Sequence, residues 1–270
     1  MSGYGKALFV DGKFDKFYGF SENETGYPRV CAHRGFKTVA PENSLPAFAA
    51  AVALGAPEIE MDIRFTADGV PVVAHDSNLE RVSNGSGTIE ANTLAELREL
   101  DFGGNFSERF AGVKIATFEE VLERFSRKVI INLHLKSAEV KGDIYPREQM
   151  VKVVELLKKY QQQEHVYFMG APDVMERAIE VAPEIPRCMG AFPEPWEIVD
   201  RAIKYKCTKV QLFIPYYNQE MIDKAHAHSI KCNFFYCDDP AEAVKLVQMG
   251  VDTILTNDYF PVAQAIAKLR

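Results

Sequence analysis

Three short stretches of the chain place groups able to bind metals or handle anions at the spacing of a β-strand. In "EIEMDIRF" (58–65), Glu58, Glu60 and Asp62 alternate with Ile59, Met61 and Ile63. Residues i and i+2 of a strand share a face, so the three acids point one way and the apolar side chains the other. In "VIINLHLKS" (129–137), Asn132, His134 and Lys136 alternate in the same way with Ile131, Leu133 and Leu135. Two more apolar runs end in imidazoles: "VCAHRGF" (30–36) delivers His33, Arg34 and Gly35, and "GVPVVAHD" (69–76) delivers His75 and Asp76. A buried carboxylate pair such as Glu60 and Asp62 is costly to keep without a cation. Metal ligation and a plain ion-pair cluster both supply one. Histidines at three strand ends are not a packing pattern. They imply a cleft into which strand tips feed.

The elements that must hold these residues follow a repeating rhythm. Short β-branched or apolar runs recur at 29–33, 57–63, 128–135, 165–169, 185–189, 208–214, 230–236 and 252–256. Helical spacing fills the intervals. "NSLPAFAAAVALGA" opens on Asn43 and Ser44 as N-cap candidates and closes near Gly55. Thr117 followed by Glu120 is a capping-box pattern, and Met150, Val153, Val154 and Leu157 fall on one helical face. Eight strands alternating with helices predict a parallel sheet closed as a (β/α)8 TIM barrel. The rival, an open doubly wound sheet, usually carries a Gly-rich turn after its first strand, and the chain has none there. Residues 1–28 read as an extension, expected as a cap over the barrel bottom. Residues 29–270 read as the barrel, with 76–116 as an insertion longer than a crossover needs. Active sites of such barrels sit at the C-terminal strand ends, where the histidines lie.

Composition narrows the function classes. The 270 residues carry a net charge of −7, which argues against a nucleic-acid surface. The longest apolar stretch, "LPAFAAAVALGA" (45–56), falls short of the ~18 residues of a membrane span, so no stable membrane insertion is expected. Five scattered cysteines without a CxxC, and no apolar signal core in the first 20 residues, predict a reduced, cytoplasmic chain.

Taken together, "HRGF…APENSLPAF" and "GAPEIEMDIRFTADGVPVVAHDSNLERVSNGSG" resemble the glycerophosphodiester phosphodiesterase family. The likeness spans roughly 29–260 and is densest over 33–87. It implies a barrel with a small insertion after the second strand, a divalent cation (magnesium or calcium) and a small phosphodiester substrate. The reaction it implies is hydrolysis to glycerol 3-phosphate and an alcohol. Carried over, His33 and His75 fall on the general acid/base pair, Arg34 on a phosphate-binding arginine, and Glu60 and Asp62 on metal ligands. Lys136 is expected to help Arg34 neutralise the phosphate. Glu42 and Asn43 lie in the Pro-Glu-Asn element, with Ser44 in place of the usual threonine.

The family's third strand reads like Asn-Ile-Glu-Ile-Lys, so "NLHLK" puts His134 where a metal-binding glutamate is usual. Imidazole suits zinc, manganese or iron, whereas magnesium and calcium prefer oxygen, so the chain uses a different metal, binds one weakly or gives His134 another role. Gly170-Ala171 stands about where the family has Ser-Phe, and Phe234 about where it has tryptophan. Asn132, Trp196 and Phe234 are candidate pocket residues, and Tyr216 and Tyr217 candidate walls around the alcohol. Two other readings compete: a lyase releasing a cyclic phosphate, and a non-catalytic phosphate-binding barrel. His226 and His228, at i and i+2 of a helix, do not face each other. His165 reads as structural, and Cys31 and Cys232 as small core residues.

Overall fold

The computed structural model describes residues 26–137, 144–190 and 193–269. Among the described residues nine strands form: β1 Arg29–Ala32, β2 Glu58–Phe65, β3 Pro71–Val73, β4 Ile130–Leu135, β5 Val166–Gly170, β6 Arg187–Met189, β7 Lys209–Phe213, β8 Lys231–Phe235 and β9 Thr253–Thr256. Eight of them pair in parallel in the order β1-β9-β8-β7-β6-β5-β4-β2, and β1 also pairs with β2, which closes a (β/α)8 barrel. All eight runs read from the sequence are barrel strands. The short β3 lies outside the ring, antiparallel to β2.

Helices α1 Leu45–Ala53, α3 Phe118–Phe125, α4 Arg147–Lys159, α5 Pro172–Val181, α6 Ile198–Lys204, α7 Gln219–Ala227, α8 Pro240–Gln248 and α9 Tyr259–Ala267 pack around the barrel strands. Between β3 and α3 lies α2, Leu94–Glu99. Local chemistry sets their ends. Ser44 caps α1 by accepting from the Ala47 amide, and Thr117 and Glu120 form the full capping box of α3. The α4 face of Met150, Val153, Val154 and Leu157 is buried as the spacing predicts.

Each barrel strand sorts its residues by alternation. Val30, Ala32, Ile59, Met61, Ile63, Ile131, Leu133 and Leu135 join the large core shared with the helices. The alternate positions point into the barrel. Near its floor Arg29 pairs with Glu58 at 3.3 Å, and the Tyr167 hydroxyl donates to Glu58 at 2.6 Å. Tyr27 lies beside this floor, its hydroxyl accepting from Lys209 at 2.8 Å while the Arg29 guanidinium sits 4.2 Å from its ring centre. The first 25 residues of the expected extension lie outside the described residues. Within 76–116, Leu79, Ile89 and Leu97 pack with Val72, Ala74 and Ile115 as a small separate core beside the barrel mouth.

Candidate active site

The strand register brings the chemical residues together. Glu60 lies opposite Asn132, and Asp62 opposite His134, across the β2–β4 pair. Glu60 and Asp62 are fully buried. Ligand atoms of Glu60, Asp62 and His134 all lie within 4.8 Å of one another. His134 Nδ1 is 3.0 Å from Asp62 Oδ1, and Lys136 Nζ is 2.8 Å from the same oxygen. Burial pushes the Glu60 carboxyl well up, and neighbouring Asp62 adds to the effect. Burial also opposes ionisation of Asp62, but Lys136, His134 and Arg34 outweigh it and hold that carboxyl well below its usual range. Two buried carboxylates and an imidazole at this spacing form a donor set able to hold a divalent ion.

The turn after β1 places Arg34. Arg34 and Gly35 both take left-handed backbone, at φ 57° and 79°. A Cβ at Gly35 would lie 2.7 Å from the Ala47 backbone, so only glycine permits the close approach of this turn to α1. The Arg34 amide then donates to Glu60 at 3.0 Å, and its guanidinium reaches Glu42 at 2.9 Å and Asp62 at 3.4 Å. Ser44 takes the cap, which leaves Asn43, at φ 53°, to donate to Asp62 Oδ2 at 2.8 Å.

The two imidazoles are wired differently. Asp238 can only accept hydrogen bonds. It takes the Asn257 side-chain NH2 at 2.8 Å and the Asn257 amide at 2.7 Å. The Asn257 carbonyl must therefore face His33, and it lies 2.7 Å from Nδ1. That nitrogen carries the proton, which leaves His33 Nε2 with a lone pair, 3.8 Å from Glu60. Burial, then Arg34, lowers the His33 pKa to about 3. His75 Nδ1 instead contacts the Asp76 carboxylate at 2.6 Å. Burial lowers the pKa of His75, with Asp62 and Asp76 pulling the other way.

A single guanidinium joins both halves. Arg81 Nε donates to Asp76, and its two terminal nitrogens reach Glu42 at 2.9 and 2.8 Å. Sequence reading missed Arg81, Asn257 and Asp238. Their only signal was position: Arg81 lies in the quoted "HDSNLER", and Asp238 and Asn257 follow closely on the runs 230–236 and 252–256.

The other expected positions fall as follows. Asn132 is inward and fully buried one layer below His134, its amide paired with no described group. Trp196 stands at the rim, 54% exposed, edge-on to Tyr216 at 5.6 Å. Phe234 corrects the expectation: it is fully buried, turned out of the barrel against Tyr217 at 4.8 Å. Alternation gives the inward position to Phe235, which meets His33 edge-on at 5.0 Å. Tyr217 leaves the cleft with Phe234. His226 bonds Asp252 at 2.8 Å at the opposite end of the barrel, where that carboxylate also accepts from Lys231 and the Cys232 amide.

Comparison with known proteins identifies the family. The model of the glycerophosphoryl diester phosphodiesterase family matches residues 33–259. A glycerophosphodiester phosphodiesterase of Caldanaerobacter subterraneus is 32% identical over 238 residues, which cover 85% of this chain and 93% of the relative. One from Bacillus subtilis is 27% identical over 84% of this chain and 82% of its own. The structure of an Oleispira antarctica phosphodiesterase in complex with its product sn-glycerol-3-phosphate superposes with a TM-score of 0.82 at 28% identity, covering 89% and 97% of the two chains. Among the described residues no helix is long and apolar enough to cross a membrane. This chain, with its barrel, its paired carboxylates and its two strand-tip histidines, belongs to the glycerophosphoryl diester phosphodiesterase family and is a phosphoric diester hydrolase.

Proposed function

We propose that the protein hydrolyses glycerophosphodiesters to glycerol 3-phosphate and an alcohol, with His33 as general base and His75 as general acid. The observation that carries this reading is the unequal wiring of the two imidazoles beside one buried carboxylate pair. His33, backed by the neutral Asn257 amide, presents a lone pair on Nε2. It takes the proton of the attacking hydroxyl, either the substrate's own glycerol hydroxyl or water. His75, backed by the Asp76 carboxylate, is the imidazole whose protonated form is supported, and it protonates the leaving alkoxide. Internal attack by the glycerol hydroxyl gains from proximity.

A phosphodiester anion repels nucleophiles, so its developing charge must be neutralised. Arg34 and Lys136 converge on Asp62 beside the two histidines and supply the positive charge for that task. The donor set of Glu60, Asp62 and His134 fits a divalent ion, and the family generally depends on one. When bound it acts as a Lewis acid on the phosphoryl oxygens. With one imidazole among its donors, the site favours manganese or zinc over magnesium or calcium. The sn-glycerol-3-phosphate held by the Oleispira antarctica phosphodiesterase supports the same product here.

The test is glycerol 3-phosphate release from glycerophosphoethanolamine after chelation, with magnesium, calcium, manganese and zinc restored one at a time. Activity should return best with manganese or zinc and vanish in Glu60→Ala. Full activity in the chelated enzyme, or in His33→Ala, overturns the reading.

A further inference from the structure

A continuous aromatic surface runs from His33 to the rim of the barrel, and most of it has no part in the chemistry above. Phe235 meets the His33 ring edge-on at 5.0 Å, and Tyr236 lies nearly parallel to it at 6.2 Å. Phe213 is the register partner of Phe235. Tyr216 packs edge-on against Phe213 at 5.5 Å, and Trp196 against Tyr216 at 5.6 Å. Exposure rises outward along this run. Phe213 and Phe235 are half-buried, whereas Tyr236 is 45% exposed and Trp196 54%. Trp196, Tyr216 and Tyr236 belong to the loops after β6, β7 and β8, three neighbours in the barrel. Single exposed apolar residues need no explanation, but a contiguous set at the mouth of a site does.

The other side of the mouth is of opposite character. Arg64, His75, Asp76, Glu80, Arg81 and Lys136 line a polar cavity of about 680 Å³. The mouth thus has a charged side next to His75 and an apolar side next to His33.

We propose that the apolar side binds an acyl chain, so that the preferred substrate is a glycerophosphodiester bearing one acyl chain on its glycerol. This rests on the phosphodiesterase reading. The surface is continuous with the ring of the proposed base, so what covers it is the part of the substrate attached to the attacking glycerol. The hydrophilic alcohol leaves on the His75 side. A single acyl group leaves one glycerol hydroxyl free. The overall step is balanced by water alone. The P–O bond to the alcohol breaks, the alcohol departs with one proton of water, and the hydroxyl of water stays on phosphorus in the monoacyl glycerol phosphate.

The experiment compares glycerophosphoethanolamine with its 1-octanoyl derivative, kept below its micellar concentration so that only monomers are present. The acylated substrate should have a kcat/KM about tenfold higher or more, the gain from burying roughly two methylene groups. Tyr216→Ser should pull the ratio toward one. Trp196, the chain's single tryptophan, should shift its emission to the blue with the octanoyl compound and not with glycerophosphoethanolamine. A ratio at or below one, with glycerophosphoethanolamine still hydrolysed, overturns the acyl site and leaves the phosphodiesterase reading standing. A blue shift with the octanoyl compound but no hydrolysis of either ester supports the chain site and overturns that reading instead. A shift that follows protein concentration rather than ligand assigns the surface to a second copy of the chain and overturns the proposal.

Discussion

Replacing Arg81 by alanine separates positioning from stability in this site. The guanidinium ties Asp76, which holds His75, to Glu42, which holds Arg34. Arg81 is about half exposed, and exposed ion pairs contribute only ~0.2–1 kcal/mol each. Even with its bidentate geometry, the tie is worth about 1 kcal/mol to the fold, or a fall in Tm of roughly 2–4 °C. The catalytic cost is of another order. Asp76 and Glu42 lose their common anchor, and displacement of a positioned group by about 1 Å costs up to ~100-fold in rate. Arg81→Ala should therefore lower kcat on glycerophosphoethanolamine by about 10- to 100-fold while the melting curve barely moves. Millimolar guanidinium, which fits the vacated space between two carboxylates, should restore part of kcat. A kcat within about threefold of the parent enzyme refutes the positioning role. So does a loss that guanidinium leaves unchanged and that tracks loss of folded protein.

Other consequences can be measured directly. Calorimetric titration of His134→Glu should show tighter magnesium and calcium binding and weaker zinc binding than the parent, because the donor set becomes all oxygen. Asn257→Ala removes the carbonyl that fixes the His33 tautomer and should lower kcat by about 100-fold with a smaller change in KM; an unchanged kcat removes Asn257 from the mechanism. Gly35→Ala forces a Cβ against the Ala47 backbone at a left-handed position and should cost more than about 1 kcal/mol in urea unfolding. Partial burial pushes the Asp76 carboxyl up, but Arg81 and His75 bring it down to about 2, against an ordinary ~3.9. A depressed acid contributes stability above its unfolded pKa and loses it as pH falls through the folded one. The stability gap between the parent and Arg81→Ala should be constant above about pH 5 and close between about pH 4 and 2. A gap that persists to pH 2 contradicts the Asp76 tie.

Alternation along single strands was legible because it is local. The period of two puts Glu60 and Asp62 on one face of β2, and Asn132 and His134 on one face of β4 with Lys136 just beyond its end. Capping chemistry is equally local, so Thr117 and Glu120 announced the start of α3. The phase of a strand relative to the barrel axis is not local. Phe234 and Phe235 are equivalent by type, and only the closed ring decides that Phe235 faces His33 while Phe234 faces the helices. The inter-strand register, set by closure, places Asp62 opposite His134 and so assembles a donor set from residues 72 positions apart. Asn257 reaches His33 across 224 positions because β9 pairs with β1 to complete the barrel. Arg81 lies on a loop with no periodicity to reveal where its side chain points. The residue types that do the chemistry, and the strands that carry them, follow from the amino-acid order alone. Which histidine holds a lone pair, which aromatic side chains flank it and which arginine joins the two halves were decided by barrel closure, because hydrogen-bond partners distant in sequence meet only in three dimensions.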